Sequence, residues 1–206
     1  MNRRTNSKHI NKRRAKTGTK PVRSNIYIAC EGAKTETQYI NLLKQRFSLE
    51  NTNINLISRK TTKSSPTQVL KDIKNETKGK FVAGDQAWII IDKDSWTKEQ
   101  LNEVLKWVRE KEDDRKLFIS SPSFDLWILL HYTEHKGTIT QQTCIDKLKN
   151  YFPKYDKKLP KQFTEQEIKQ ADERAKKLTE NKDLINTSDS GTEMYKVIEI
   201  LEEKSE

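Results

Sequence analysis

Three carboxylates fall where chemistry could gather. Glu31 follows the apolar stretch Asn25-Ile-Tyr-Ile-Ala-Cys30 and opens a Glu-Gly turn, while Asp92 and Asp94 follow Ala87-Trp-Ile-Ile-Ile91. In extended chain, residues two apart point the same way, so Asp92 and Asp94 can converge on one point. Acids held together without compensation repel one another. A hard divalent cation, Mg²⁺ or Mn²⁺, removes that conflict by taking carboxylate oxygens together with water and phosphate. Such an ion polarises a phosphodiester, neutralises developing charge and lowers the pKa of bound water. The competing reading makes the same acids helix caps or solvated loop residues. Lys34 can reach a phosphate from the turn, at the start of a helix whose N-terminus favours an anion; the bland alternative is a solvated lysine. Trp96, just past Asp94, can stack on a base or staple the helix that follows.

The elements that must position these residues alternate. Asn25–Cys30 reads as a short buried strand, and Gly32 relieves the backbone at the turn. Thr35-x-x-Gln38 fits a capping box opening a helix with Tyr39, Ile40, Leu43 and Phe47 on one face. Asn53–Ser58 is a second strand. Ser65-Pro66 supplies an N-cap with proline at the first helical position, ahead of Val69, Leu70 and Ile73. Ala87–Ile91 is the clearest strand. Thr97-x-x-Gln100 can cap a helix that turns Leu101, Val104, Leu105 and Val108 inward. Lys116–Ser120 is a fourth strand, and Ser121-Pro122 starts a helix apolar enough (Phe124, Leu126, Trp127, Ile128, Leu129, Leu130) to be buried on most sides. Trp88, Phe124 and Trp127 are core residues on this reading. After Gly137 the strands stop, and Thr138–Tyr151, Thr164–Thr179 and Thr192–Leu201 read as helices, with a Lys/Pro-rich connector at Pro153–Lys161. Strands alternating with helices predict an α/β fold with a mainly parallel central sheet flanked by helices, and additional C-terminal helices packed on that sheet.

Charge separates the chain into two parts. Of its 206 residues, 33% are hydrophobic and 34% charged, with a formal net charge of +10. Residues 1–23 hold nine cations, among them Arg3, Arg4, Arg13, Arg14 and Lys16, and no acid, which leaves +1 for the body at 24–206. A basic arm of this kind attracts phosphate backbones by counterion release, without sequence preference. It can equally be a disordered solubilising leader. No apolar run is long enough to span a bilayer, and residues 1–24 lack the apolar stretch of a secretory signal. Cys30 and Cys144 are too few for a disulfide framework or a cysteine-based zinc site. The expected compartment is therefore reducing, most simply the cytoplasm.

Glu31-Gly32 after a first strand, with Asp92-x-Asp94 after a later one, resembles the Toprim signature of topoisomerases, primases and OLD-type nucleases. The string Glu31-Gly-Ala-Lys-Thr-Glu-Thr-Gln-Tyr39 is closer still to RloB-like proteins, also called AbiLii-like. So are Asp92-Lys-Asp94, Ser121-Pro-Ser-Phe-Asp-Leu-Trp-Ile-Leu-Leu-His131 and the ending Thr187–Leu201. The resemblance covers nearly everything from Ser24 to Leu201. It implies a Toprim-like fold and a metal-dependent nuclease in bacterial phage defence or abortive infection, beside an ABC-type or AAA-like ATPase partner. It makes Glu31 a metal ligand or proton-transfer group, has Asp92 and Asp94 hold the cation, and gives Glu36 the place of a second acid, orienting the site or serving another metal. The family carries Asn and Glu where this chain has Ser121 and Asp125, so Asp125 offers a shorter acid for a second metal.

Other signals are weaker. His131-Tyr-Thr-Glu134-His135 matches an inverted zinc-protease pattern, but Lys136-Gly137 ends the helix at once, so His131 reads more simply as a histidine finishing a buried helix. An Asp-x-Asp on a first strand would suggest a haloacid-dehalogenase-type phosphatase, yet here a strand bearing Glu31 comes earlier. No Walker-type loop and no Gly-x-Ser-x-Gly is present. Three functions remain: metal-dependent cleavage of DNA or RNA, a non-catalytic nucleic-acid-binding or sensor subunit, and nucleotidyl transfer on the same carboxylates.

Overall fold

The computed structural model describes residues 23–47, 49–58, 65–93, 96–159 and 162–205. Its strands are β1 (Ser24–Cys30), β2 (Thr52–Ile57), β3 (Gln86–Asp92), β4 (Arg115–Ser121) and β5 (Gly191–Thr192). Its helices are α1 (Thr35–Arg46), α2 (Pro66–Thr77), α3 (Lys98–Arg109), α4 (Phe124–Leu130), α5 (Gln141–Tyr151), α6 (Glu165–Thr179) and α7 (Met194–Glu203). The five strands form one sheet in the order β2-β1-β3-β4-β5. Pairing is parallel throughout except between β4 and β5. This mostly parallel sheet flanked by helices agrees with the α/β, Toprim-like expectation.

Both faces of the central strands are buried, so their side chains divide by alternation rather than into wet and dry sets. Ile26, Ile28, Cys30, Trp88 and Ile90 point into one apolar cluster with α1, α4, α5, α6 and α7. Ala29, Ala87, Ile89, Ile91 and Ile119 point into a second cluster with α2 and α3. The C-terminal helices thus bury Cys144, Leu148, Ala171, Ala175, Val197 and Leu201 in the same cluster as the first strand. Every residue of α4 is buried, as its composition predicts. No helix among the described residues is long and apolar enough to cross a membrane.

Local signals at the helix starts hold in some places and fail in others. Ser65 accepts the Gln68 N–H ahead of Pro66. Thr97 and Gln100 form a reciprocal capping box. The box expected at Thr35 does not form: Lys34 is the N-cap, and the Thr35 hydroxyl instead donates to the Lys157 carbonyl at 2.6 Å. A long-range partner has outcompeted the local one. Ser121-Pro122 does not begin α4 either. Ser121 ends β4, the peptide before Pro122 is cis, and the helix starts at Phe124.

The largest correction is β5. Strands do not stop after Gly137: Gly191 and Thr192 pair with Ser121 and Ser120, and α7 begins at Met194 rather than at Thr192. Two residues carry no periodicity to read. What holds them is a buried hydroxyl network, in which Thr179 Oγ1 donates to the Thr192 carbonyl and accepts its N–H while the Ser120 and Thr192 hydroxyls meet at 2.8 Å. A Cβ on Gly191 would lie 2.9 Å from the Leu184 side chain and 3.0 Å from the Thr179 hydroxyl, so a larger residue there would have to displace the end of Leu184.

Candidate active site

The strand order places β1 between β2 and β3, so the chain leaves β1 in one direction and returns on its other side. That reversal opens a crevice beyond the carboxyl ends of β1 and β3, the usual ligand position in an open α/β sheet. Glu31 follows β1 there and Asp92 is the last residue of β3. The Glu31 N–H continues the ladder to the Ile90 carbonyl at 2.9 Å. Its carboxylate turns across to β3, accepting the Asp92 N–H at 3.2 Å. The indole N–H of Trp96 donates to both Glu31 oxygens, at 3.0 and 2.9 Å. Glu31 and Asp92 are therefore neighbours, as the expectation of acids from separate strands meeting at one rim requires.

Two short helical turns bring further acids. Glu36 lies in the first turn of α1 and is buried. Its carboxylate packs so closely over Gly32 that a Cβ there would overlap it. Gly32 is needed for this close approach, and its turn needs no left-handed backbone. Asp125 lies in the first turn of α4, accepting the Ser123 hydroxyl at 3.2 Å and the Tyr155 hydroxyl at 2.6 Å. The N–H of Phe124 donates to Asp92 Oδ1 at 2.8 Å, which fixes α4 against the end of β3.

Electrostatics at the rim are strained. Burial raises the pKa of Asp92 well above the ordinary carboxylate range, the charges of Glu36 and Glu31 raise it further, and Asp125 adds to them against the Phe124 hydrogen bond. The pocket in front of these groups has a volume of about 470 Å³; Glu31, Glu36, Asp92, Asp125 and Asp156 line it, with Lys34 and Lys157 as its cations. Cys30 adjoins the same acids, and burial first, then Glu36 and Asp92, push its thiol up. Cys144 is pushed up to about 12 by burial. Both cysteines are buried free thiols, with no activation toward nucleophilic chemistry.

The donor set suits a hard cation and no other common ion: every candidate ligand is a carboxylate oxygen. Among the described residues no three His, Cys, Asp or Glu side chains form a ready-made metal cluster. Mg²⁺ does not require one, since it commonly binds through one or two carboxylates and completes its shell with water and phosphate. Glu31 and Asp92 are the pair that could hold it, with Glu36 and Asp125 behind them.

Of the remaining predicted site residues, Lys34 stands exposed at the N-cap of α1 and lines the pocket. Trp96 is half-buried against the α2–α3 cluster. Its contact with Glu31 is a positioning role that neither stacking nor stapling anticipates. Asp94 and the arm residues Arg3, Arg4, Arg13, Arg14 and Lys16 lie outside the described residues. The zinc reading loses its first histidine: His131 is buried, its Nδ1 against the Trp127 carbonyl and its Nε2 against the Tyr39 hydroxyl at 3.0 Å.

Sequence reasoning missed Ser123, Tyr155, Asp156 and Lys157. The last three sit in the Lys/Pro-rich connector, whose composition signals only a loop. A tyrosine and a lone acid there gain meaning from α1 and α4, which are remote in sequence.

The model of the family described as RloB-like protein matches residues 26–201. No curated protein and no solved structure matches the chain significantly. The matched span holds the carboxyl ends of β1 and β3, both acid-bearing helices and the connector, and the chain belongs to the RloB-like protein family.

Proposed function

We propose that the chain is a divalent-metal-dependent nuclease that cleaves phosphodiesters of DNA or RNA, with Mg²⁺ or Mn²⁺ as its cofactor. The observation that carries this reading is Asp92: a half-buried residue at the end of β3, its carboxyl raised first by desolvation and then by Glu36 and Glu31, facing a pocket in which acids outnumber lysines five to two. A pocket of that balance repels a polyanion unless a cation is bound. Glu31 and Asp92 would hold the ion, which when bound supplies charge neutralisation at the phosphate and acidifies water. Trp96 and the Asp92 N–H keep the Glu31 carboxylate aimed, and the Phe124 N–H leaves the second Asp92 oxygen for the pocket. Lys34 steers the phosphate at the rim. Membership of the RloB-like family supports a role in a defence or abortive-infection-type system; an ABC-type or AAA-like ATPase is its proposed partner there.

The test pairs two readouts on the full chain. With Mn²⁺ or Mg²⁺ the unaltered protein should gain thermal stability and cleave a nucleic-acid substrate. Asp92→Asn, which keeps the acceptor for Phe124, should lose the metal-induced gain and at least a hundredfold of the cleavage rate. Undiminished cleavage by Asp92→Asn overturns the mechanism. Nucleic-acid binding with no metal response in either protein points instead to a non-catalytic sensor subunit.

A further inference from the structure

The connector after α5 joins the carboxylate pocket to a second cavity. Three bonds pin it: the Tyr155 hydroxyl to Asp125, the Lys157 carbonyl to the Thr35 hydroxyl, and the Leu159 N–H to Gln38 Oε1 at 2.8 Å. Lys157 adopts a left-handed backbone (φ 62°) within this strap, a conformation that persists for a non-glycine residue only where its surroundings hold it. The strap's inner side gives Lys157 to the carboxylate pocket. The second cavity, of about 490 Å³, is lined by Tyr151, Phe152, Pro153, Lys154, Lys158 and Leu159 among others. Asp156 borders both spaces.

Tyr151 is 45% exposed, one of the two large hydrophobic residues left open to solvent among those described. Its ring is stacked on Tyr132, with centroids 4.9 Å apart and planes 26° from parallel. Tyr132 in turn packs edge-on against Phe152 at 5.2 Å. The ring is thus backed on one face by packed aromatic neighbours. An exposed, backed aromatic that lines one cavity with Lys154 and Lys158 suits an unpaired base next to its phosphates. A duplex, whose bases are already stacked on each other, has no ring to offer it.

Resting on the nuclease reading, we propose that this cavity is a subsite for an unpaired nucleotide of a single-stranded DNA or RNA segment. Its base stacks on Tyr151, Lys154 and Lys158 meet the phosphates, and Lys157 passes the next phosphate to the carboxylate pocket.

The experiment measures binding of the full chain to fluorescein-labelled oligothymidylate, oligouridylate and a DNA duplex of equal length, without divalent metal. Tyr151→Ala should weaken single-strand binding roughly ten- to a hundredfold and leave duplex binding unchanged, with Tyr151→Trp restoring it. Lys154→Gln with Lys158→Gln should lower the slope of log affinity against log salt by roughly 1. Unaltered melting midpoints would exclude misfolding as the cause. Equal single-strand affinity of Tyr151→Ala and the unaltered chain overturns the subsite, as does an equal loss on duplex; neither touches the nuclease reading. Absence of any nucleic-acid binding or metal-stimulated cleavage by the unaltered chain removes both. The thymidylate and uridylate arms distinguish DNA from RNA as the source of the nucleotide.

Discussion

Helices α1 and α4 each serve two regions of opposite character. Their first turns give Glu36 and Asp125 to the acid rim, while Tyr39 of α1, Trp127 of α4 and His131 at the α4 C-cap enter an aromatic core. In that core Tyr39 meets Phe124, Trp127 and His131 edge-on at 5.5–5.8 Å, and His131 lies 4.0 Å from the Phe163 ring. Burial there is resolved by neutrality: it pushes the Tyr39 phenol up and holds His131 down at about 4, so neither carries charge at neutral pH. At the rim burial is unresolved, because five acids line the crevice and Asp92 is raised by desolvation and then by its acidic neighbours. The contrast teaches where this molecule spends stability. The core supplies it, and the rim consumes part of it to keep charges poised for a ligand.

The largest effect is expected from the core. Trp127→Ala should cost about 3–5 kcal/mol of stability, as large-to-small changes at fully buried aromatics do, read from urea denaturation midpoints. Any folded fraction should keep its metal-induced stabilisation. Loss of that response in folded protein would mean that the two regions are not separable.

Acid titration comes next. The unfolded histidine has a pKa of about 6.5 and folded His131 one of about 4, so between these values the unfolded chain binds more protons. The contribution of neutral His131 is complete above pH ~6.5 and is lost as pH falls through ~4, roughly 3 kcal/mol in all. Asp92 has the opposite sign: its folded pKa is raised, so the folded chain holds the extra proton and stability falls as pH rises above the ordinary carboxylate value. In His131→Gln the loss between pH 6.5 and 4 should flatten. An unchanged acid limb would show that His131 is not the group responsible.

The smallest effect sharpens the rim side. Without metal at pH 7, Asp92→Asn should be more stable than the unaltered protein by on the order of 1 kcal/mol, about 2–4 °C in melting midpoint. With Mg²⁺ the order should reverse. A destabilised Asp92→Asn in metal-free buffer would place the strain elsewhere than in these carboxylates.

Much of the scaffold can be read from the chain because its signals are local. Ala87–Ile91 is an unbroken apolar run that ends in three β-branched residues, and Thr97-x-x-Gln100 closes its own capping box, so neither needs a distant partner. The same reasoning fails at Thr35, whose hydroxyl finds Lys157 across 122 residues, and at Gly191-Thr192, which pair only because Thr179 and Ser120 wait for them. Glu31 and Asp92 are legible as candidates because each ends an apolar strand. Trp96 is legible as a residue but not as the donor to Glu31, since an indole N–H has no pattern that announces its acceptor.

By itself the sequence determined the alternation of strands and helices, the concentration of positive charge in residues 1–23, and the acids that close β1 and β3. These follow from periodicity and residue type, which act within a few positions of the chain. The tertiary structure alone decided which acids share a crevice, that Asp92 bears the strain of that crowding, and that the connector after α5 carries Tyr155 to Asp125 and Lys157 to the pocket. Electrostatic repulsion and hydrogen bonding depend on distance in space, and the strand order β2-β1-β3-β4-β5 sets that distance.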